Sequence, residues 1–523
     1  MAKESSIPKT KYEKRRYFDH ESLLVIERPT CDTIGLHVKE IDRGIYEVGL
    51  HVPDVSYFVK SGSDLDRWAL HRAVTVRLVD KSIPVLPLVL TDELCALAVD
   101  RDCVCVSVVW RINEHGQIMG EWIGRSIVRP DSKMDVNQLK ERLPQASSAE
   151  SRLHQLAIQL RRRRLEHGAL ELGAMKMEFD LNRTGAPPMN CAARQTLTIV
   201  ILSCCQVNDA EQLLTEYSTL ADLSVARRIH DRLPKYALLC TQLPPRNMQL
   251  RENLEMLRKC VRIEPVSSSD ALSTTKLERV LKSAQHDSTT HCVTTELIGQ
   301  CMQPETYCCA GTVEKKDTEL LRHYGLNVSI YTHFTRPLHH YADLLVHRLV
   351  TALFDDSHRL LSAHKIQQTA EHCNEREMAA DTVLSVNREM WLAAYVKSCG
   401  SIDCAGIVLQ VFEQGFDVYL TRFDMHRRIF VNRLPLAREA EFQSGGINRL
   451  QLHWRTTNAG PSVDGTEHTN SDAPDSPPFY LVNNATHVQT VTVGAHVVCV
   501  LTCAPMTLKI MTTIKPDEAN NRP

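Results

Sequence analysis

Residues 331–349, YTHFTRPLHHYADLLVHRL, constrain the fold of this chain more than any other stretch. Tyr341, Leu344, Leu345, Val346, Leu349, Val350 and Leu353 recur at three-to-four spacing, the mark of a helix with one apolar face. Pro337 suits a first helical position, where a missing N–H costs nothing. Thr335 stands just ahead, where a hydroxyl can cap orphan N–H groups. These residues predict a helix that starts near Pro337 and points free N–H groups and a partial positive charge at whatever precedes it. Such an arrangement binds phosphate. Arg336, His339 and His340 crowd the same turn.

The 523 residues are enough for two to four domains and a sizeable core. Lys and Arg number 61 against 63 Asp and Glu, a formal net charge of -2, so any positive surface for a nucleic acid must be local. The 18 cysteines form no C-x-x-C pair and no finger-type Cys/His spacing, which argues against a zinc site readable from spacing. They fit free thiols in a reducing compartment. The first 17 residues are polar and basic with no apolar core of a signal peptide. No apolar run reaches membrane-spanning length, so no membrane partner is expected.

Residues 1–17 are expected to be a disordered basic tail. Between 18 and 130 the pattern is strands and turns, with β-type runs at 23–26, 45–51, 74–78 and 104–110 and turns at Asp42-Arg43-Gly44 and His115-Gly116. Residues 150–170 switch to helix, closed by Arg161 to Arg164, most of them expected to be solvated. Asn208 and Glu211 make a capping-box pattern ahead of a second helix reaching Pro234. Residues 360–397 are helical and charged. From Ser401 the pattern turns to β, with 406–412, 416–420 and 428–431 as the first strands of an OB-type barrel, which 450–454 and 497–501 could complete. Residues 456–478 are rich in Gly, Pro, Ser, Asp and Asn, a composition that cannot bury a core and predicts a disordered loop.

The 331–349 segment resembles the signature of the RNB family, the ribonuclease II-type exoribonucleases, usually Y-T-H-F-T-S-P-I-R-R-Y-A-D. Residues 47–59, EVGLHVPDVSYFV, are similar to that family's E-V-G-V-H-I-A-D-V-S-Y-F-V strand, and 301–311 and His323-Tyr324-Gly325-Leu326 fit its approach to the signature helix. Several motifs occur in the family's order between about Tyr17 and Pro435, and the eukaryotic cytoplasmic branch that prefers uridylated RNA is the most similar. The resemblance implies an α+β fold: an RNB nuclease domain over 18–355, with a mixed sheet surrounded by helices and a central RNA channel. A helical connector over 356–398 and an OB-type RNA-binding β-barrel over 399–515 would follow, with a tail at 516–523. Family members carry two cold-shock barrels ahead of the nuclease domain. Sixteen residues cannot hold them, so they are missing or lie outside this sequence.

The resemblance also implies chemistry. Such enzymes cut RNA from its 3′ end with two Mg²⁺ (or Mn²⁺) ions, one activating water and the other stabilising the leaving oxygen. Hard cations need clustered carboxylates, supplied in the family by one aspartate and a D-x-D-D group. Here Glu27 falls on the first aspartate, while the cluster positions fall on Thr33, Gly35 and Leu36, with Asp32 the one other acid nearby. Glu27 and Asp32 are therefore the candidate metal ligands. The family's phosphate-holding arginine pair is His339-His340, mostly neutral at pH 7 and without the bidentate fork. Asp222 stands where the family has asparagine. Tyr57, Tyr331, His333, Thr335 and Tyr341 match family positions that line or stack on RNA, each alternatively a core residue. The expected function is a cytoplasmic, monomeric protein that threads single-stranded RNA, not DNA, from its 3′ end with weak or absent hydrolysis. An active exoribonuclease and a structural protein without RNA are the alternatives.

Overall fold

A computed structural model describes residues 15–18, 23–27, 33–145, 148–172, 176–180, 198–202, 208–260, 273–354, 360–436, 438–445, 447–454, 487–504 and 507–517. Asp32, residues 1–14, the expected loop 456–478 and the end of the expected tail, 518–523, lie outside them. By contact the chain forms two compact units. The first holds Met1–Glu171, Val207–Pro244 and Gln303–Ser385, and the second Leu172–Gln206, Pro245–Met302 and Val386–Pro523. These units run across the sequence blocks expected from the motifs.

The first unit is organised by a seven-stranded mixed sheet in the order Arg16–Phe18, Ile118–Val128, Cys103–Asn113, Ile45–Pro53, Thr33–Asp42, Leu24–Glu27, Ser132–Asp135. Its central pairs are antiparallel and its two outer pairs parallel. The strands are rich in Val and Ile, which fit a pleated buried surface. Gly44 and Gly116 take positive φ at the two expected hairpin turns. The helix Asp209–Arg232 is tied to this sheet by the Trp110 indole N–H, which donates to Ser224 Oγ at 3.0 Å. Tyr217 donates from its hydroxyl to Leu153 O of the helix Ala149–Glu166 at 3.0 Å. Asn208 caps the former helix through Ala210 N.

Two expectations are corrected here. The end of the presumed tail is structure: Arg16–Phe18 is an edge strand, and the Arg15 guanidinium meets the buried carboxylate of Asp54 at 2.5 Å. Burial opposes ionisation of Asp54, but Arg15 and Arg125 outweigh it and hold the carboxyl below its ordinary range. Of the four arginines, Arg161 and Arg164 are held in ion pairs rather than extended free into solvent. Arg161 forks onto Glu171, and Arg164 makes a bidentate pair with Glu216 at 2.6 and 3.0 Å.

The second unit carries a five-stranded antiparallel sheet in the order Met425–Phe430, Gly415–Leu420, Ser401–Phe412, His496–Cys503, Ile510–Ile514. Beside it stands a three-stranded sheet of Glu441–Gln443, Arg449–Trp454 and His487–Val491. This is the OB-type region. Of the two runs expected to complete the barrel, 497–501 lies in the first sheet and 450–454 in the second, and Ile510–Ile514 adds an edge strand to the first. Helices Asn247–Cys260, Thr274–Ala284 and Ser288–Gly299 belong to this unit, and the long helix Ala363–Cys399 has residues in both.

Candidate functional site

The signature segment starts its helix later than Pro337 suggests. The α-helix is Tyr341–Ala352, and residues 336–340 form a tight turn in which His339 N and His340 N both donate to Arg336 O at 3.0 Å. Asp343, in the first helical turn, reaches back to accept from Arg336 N at 2.8 Å. A second segment clamps the turn: Tyr341 N donates to Ala73 O at 2.7 Å and Thr75 N to His339 O at 2.9 Å. Ala73 holds a φ of 58°, a conformation a β-carbon disfavours, so this clamp is locally strained.

Burial sorts the expected site residues into two groups. Tyr331 is 6% exposed, and its hydroxyl donates to Asp222 Oδ2 at 3.1 Å. Tyr341 is 3% exposed, with its hydroxyl on Asp66 Oδ1 at 2.9 Å. Thr335 is buried too, and so is His339, whose Nδ1 lies 3.2 Å from Thr75 Oγ1. These four face the core, so the two tyrosines offer no ring face for a base. Ahead of the helix, the half-buried residues of the segment are His333, Arg336 and His340, spaced by three and four. His333 Nδ1 lies 2.7 Å from Tyr307 Oη, and His340 Nδ1 lies 3.0 Å from Glu377 Oε1. Tyr57 is half-buried on a short helix of its own, its ring flanked by the cations of Arg15 at 5.5 Å and Lys60 at 5.1 Å.

Charge at this face is mixed. Burial pushes the Glu377 carboxyl up to about 7, with Arg336 opposing. Burial and the Arg336 guanidinium hold the His333 imidazole down to about 3, so it is neutral at pH 7. Burial also pushes Asp222 well above the carboxylate range while Phe334 N and Tyr331 Oη donate to it. Arg336 is thus a cation set among several acids. Sequence reasoning placed it in the turn but gave it no role, although it stands where the family motif has serine. Glu377 was missed altogether, because nothing marks one acid among many on a charged helix.

The expected Mg²⁺ ligands do not assemble among the described residues. Glu27 ends its strand 47% exposed in its side chain and bridges to Lys133 Nζ at 2.6 Å. Residues 33–36, over which the acid cluster would fall, pair antiparallel with Leu24–Glu27, and Ile34 and Leu36 are core. Asp32 is outside the described residues. The described residues at these positions, Glu27 and 33–36, therefore do not fit a two-cation carboxylate centre.

Comparison with known proteins agrees with this fold. The RNB domain model matches residues 15–356, and the model for the DIS3-like exonuclease 2 C terminal matches 400–476. DIS3-like exonuclease 2 of Xenopus tropicalis is 33% identical over 479 residues, 87% of this chain and 56% of that protein. The human exosome complex exonuclease RRP44 is 27% identical over 442 residues, 81% of this chain and 44% of that one. The chain spans about half the length of these curated relatives. Among solved structures, yeast Ssd1, described as a pseudonuclease, superposes with a TM-score of 0.77 at 20% identity, covering 98% of this chain and 69% of that one. Mycoplasma genitalium RNase R in complex with ribose methylated single-stranded RNA gives 0.77 at 15% identity, covering 98% and 73%. At such identities these two likenesses show the fold.

Proposed function

The chain belongs to the RNB family, and on that premise we propose that it grips single-stranded RNA from the 3′ end and cuts it weakly or not at all. The observation that supports this most is the strand Thr33–Asp42. Where the family resemblance calls for three carboxylates, it carries Thr33, Gly35 and Leu36 in a strand paired to Leu24–Glu27. Thr, Gly and Leu side chains at these positions cannot replace the carboxylates that hard cations need. Without them the attacking water stays a poor nucleophile and the leaving oxygen is unneutralised. Loss of the arginine pair acts in the same direction, because His339 is turned into the core and His340 is tied to Glu377.

Binding survives on other terms. Arg336 offers the permanent charge and planar fork suited to a phosphate. Tyr57 adds a half-buried ring with the Arg15 and Lys60 cations over it, a local positive surface that suits an RNA backbone. The substrate class is single-stranded RNA rather than DNA, with uridylated RNA as the branch's preference and the cytoplasm as the place of action. No described helix is long and apolar enough to cross a membrane.

Anisotropy of a labelled single-stranded RNA titrated with protein tests the reading. Affinity is expected to fall as salt rises. Arg336→Ala should weaken binding and lower the salt slope by roughly one. Glu27→Ala should change neither. Undetectable binding at low salt would remove the proposal.

A further inference from the structure

The antiparallel strands Leu238–Gln242 and Glu305–Cys309 pair with Cys240 opposite Tyr307, and Cys240 N donates to Tyr331 O at 2.8 Å. This register brings three residues of quite different sequence position together. Cys240 Sγ lies 3.9 Å from Glu305 Oε2, and His333 Nε2 lies 3.6 Å from the same oxygen. The three ligand atoms all lie within 4.8 Å of one another. Zinc at its usual bond lengths to sulfur, nitrogen and oxygen separates tetrahedral ligands by about 3.3–3.8 Å, so small side-chain adjustments would close this triangle around one ion.

We propose that Cys240, Glu305 and His333 form a Zn²⁺ site, with water in the fourth position. Thiolate, imidazole and carboxylate together suit zinc, whereas Mg²⁺ would require oxygen donors throughout. Glu305 is the outward member, 45% exposed in its side chain, which leaves room for the water.

The surroundings orient Glu305 and His333 for an ion. His323 accepts from Leu326 N at Nδ1 (3.2 Å), so its Nε2–H donates to Glu305 Oε1 at 3.0 Å and leaves Oε2 aimed at the other ligands. For His333 to bind through Nε2, Nδ1 must carry the proton, and Tyr307 Oη is 2.7 Å away to accept it. Tyr307 in turn hydrogen-bonds Glu377. Binding converts the Cys240 thiol to thiolate and releases one proton to solvent. The ion would tie the two strands to the segment that carries Arg336. Spacing rules miss such a site because its ligands come from positions 240, 305 and 333.

The test is metal content of the whole chain after equilibration with limiting zinc and gel filtration, together with absorption after loading with Co²⁺. About one zinc per chain and a thiolate-to-cobalt charge-transfer band are expected. Cys240→Ser should abolish the band, and Glu305→Ala, at a half-exposed position where folding is safe, should weaken zinc retention by at least about tenfold. Circular dichroism checks that each variant is folded. A wild-type chain with no zinc above the buffer blank would overturn the proposal. So would one equivalent of zinc held undiminished in the Glu305→Ala variant, since another site would then be responsible. RNA affinity is read separately through Arg336→Ala and does not enter this outcome.

Discussion

Single residues explain parts of the sequence motif that resemblance alone leaves unexplained. Gly49 of the EVGLH stretch is required by a buried imidazole pair: His37 Nδ1 lies 2.8 Å from His51 Nε2, and His51 Nδ1 lies 2.6 Å from Ser107 Oγ. A β-carbon at position 49 would overlap the His37 ring. Gly49→Ala should therefore destabilise the fold by about 1–3 kcal/mol, read as a lower urea midpoint at unchanged slope. His347 makes a pH prediction. Burial lowers its pKa to about 4, while its Nε2–H donates to Phe334 O at 2.9 Å. The folded state keeps this ring neutral, and the unfolded chain takes up a proton below about pH 6.5. Its contribution is therefore complete above pH 6.5 and is lost as pH falls toward 4, by up to about 3 kcal/mol in all. His347→Gln should flatten that slope in denaturant titrations; an unchanged slope would show that other groups set it. At this scale the sequence was least legible. Tyr331, Tyr341 and His339 were expected at an RNA surface and are buried. Nothing in a one-dimensional pattern tells a channel tyrosine from one whose hydroxyl meets Asp222 or Asp66.

Elements were more legible than residues, because periodicity reports burial directly. The helices Asp209–Arg232 and Tyr341–Ala352 and the strands Ile45–Pro53 and Cys103–Asn113 stand close to where their apolar patterns put them. The start of the signature helix did not. Pro337 and Thr335 are good start signals in isolation, but the 72–75 segment takes up His339 O and Tyr341 N and forces a turn first. Strand Ile510–Ile514 was missed because a short run of Met and Thr gives little alternation. The Arg161 to Arg164 run shows how charge can mislead. Arg164 is 17% exposed and Glu216 3% exposed in their side chains, so the pair links the helices Ala149–Glu166 and Asp209–Arg232 in a sheltered place. Arg164→Ala leaves a buried carboxylate uncompensated and should cost about 3–5 kcal/mol in thermal or urea unfolding. The double change Arg164→Met with Glu216→Leu should cost much less. Equal losses would mean that the arginine acts through its packing.

Across the whole chain, fold and family were legible because several motifs fall in one order, and the model match over 15–356 bears them out. The candidate site was legible as a departure: acids replaced in a strand, arginines replaced in a turn. What surrounds them was not legible, since Glu377 meets His340, and Glu305 and Cys240 gather at His333, from distant sequence. On the proposed reading, a scaffold that keeps the fold but carries Thr33, Gly35 and Leu36 where the family resemblance calls for carboxylates is expected to bind RNA without cutting it. The most direct measurement is a single-turnover assay. A 5′-labelled single-stranded RNA ending in uridines is incubated with excess protein and Mg²⁺ or Mn²⁺, then resolved on a denaturing gel, with a parallel native gel to show the complex. A shifted complex whose RNA stays full length is the expected result. A ladder of 3′-shortened products that vanishes with chelator would contradict it.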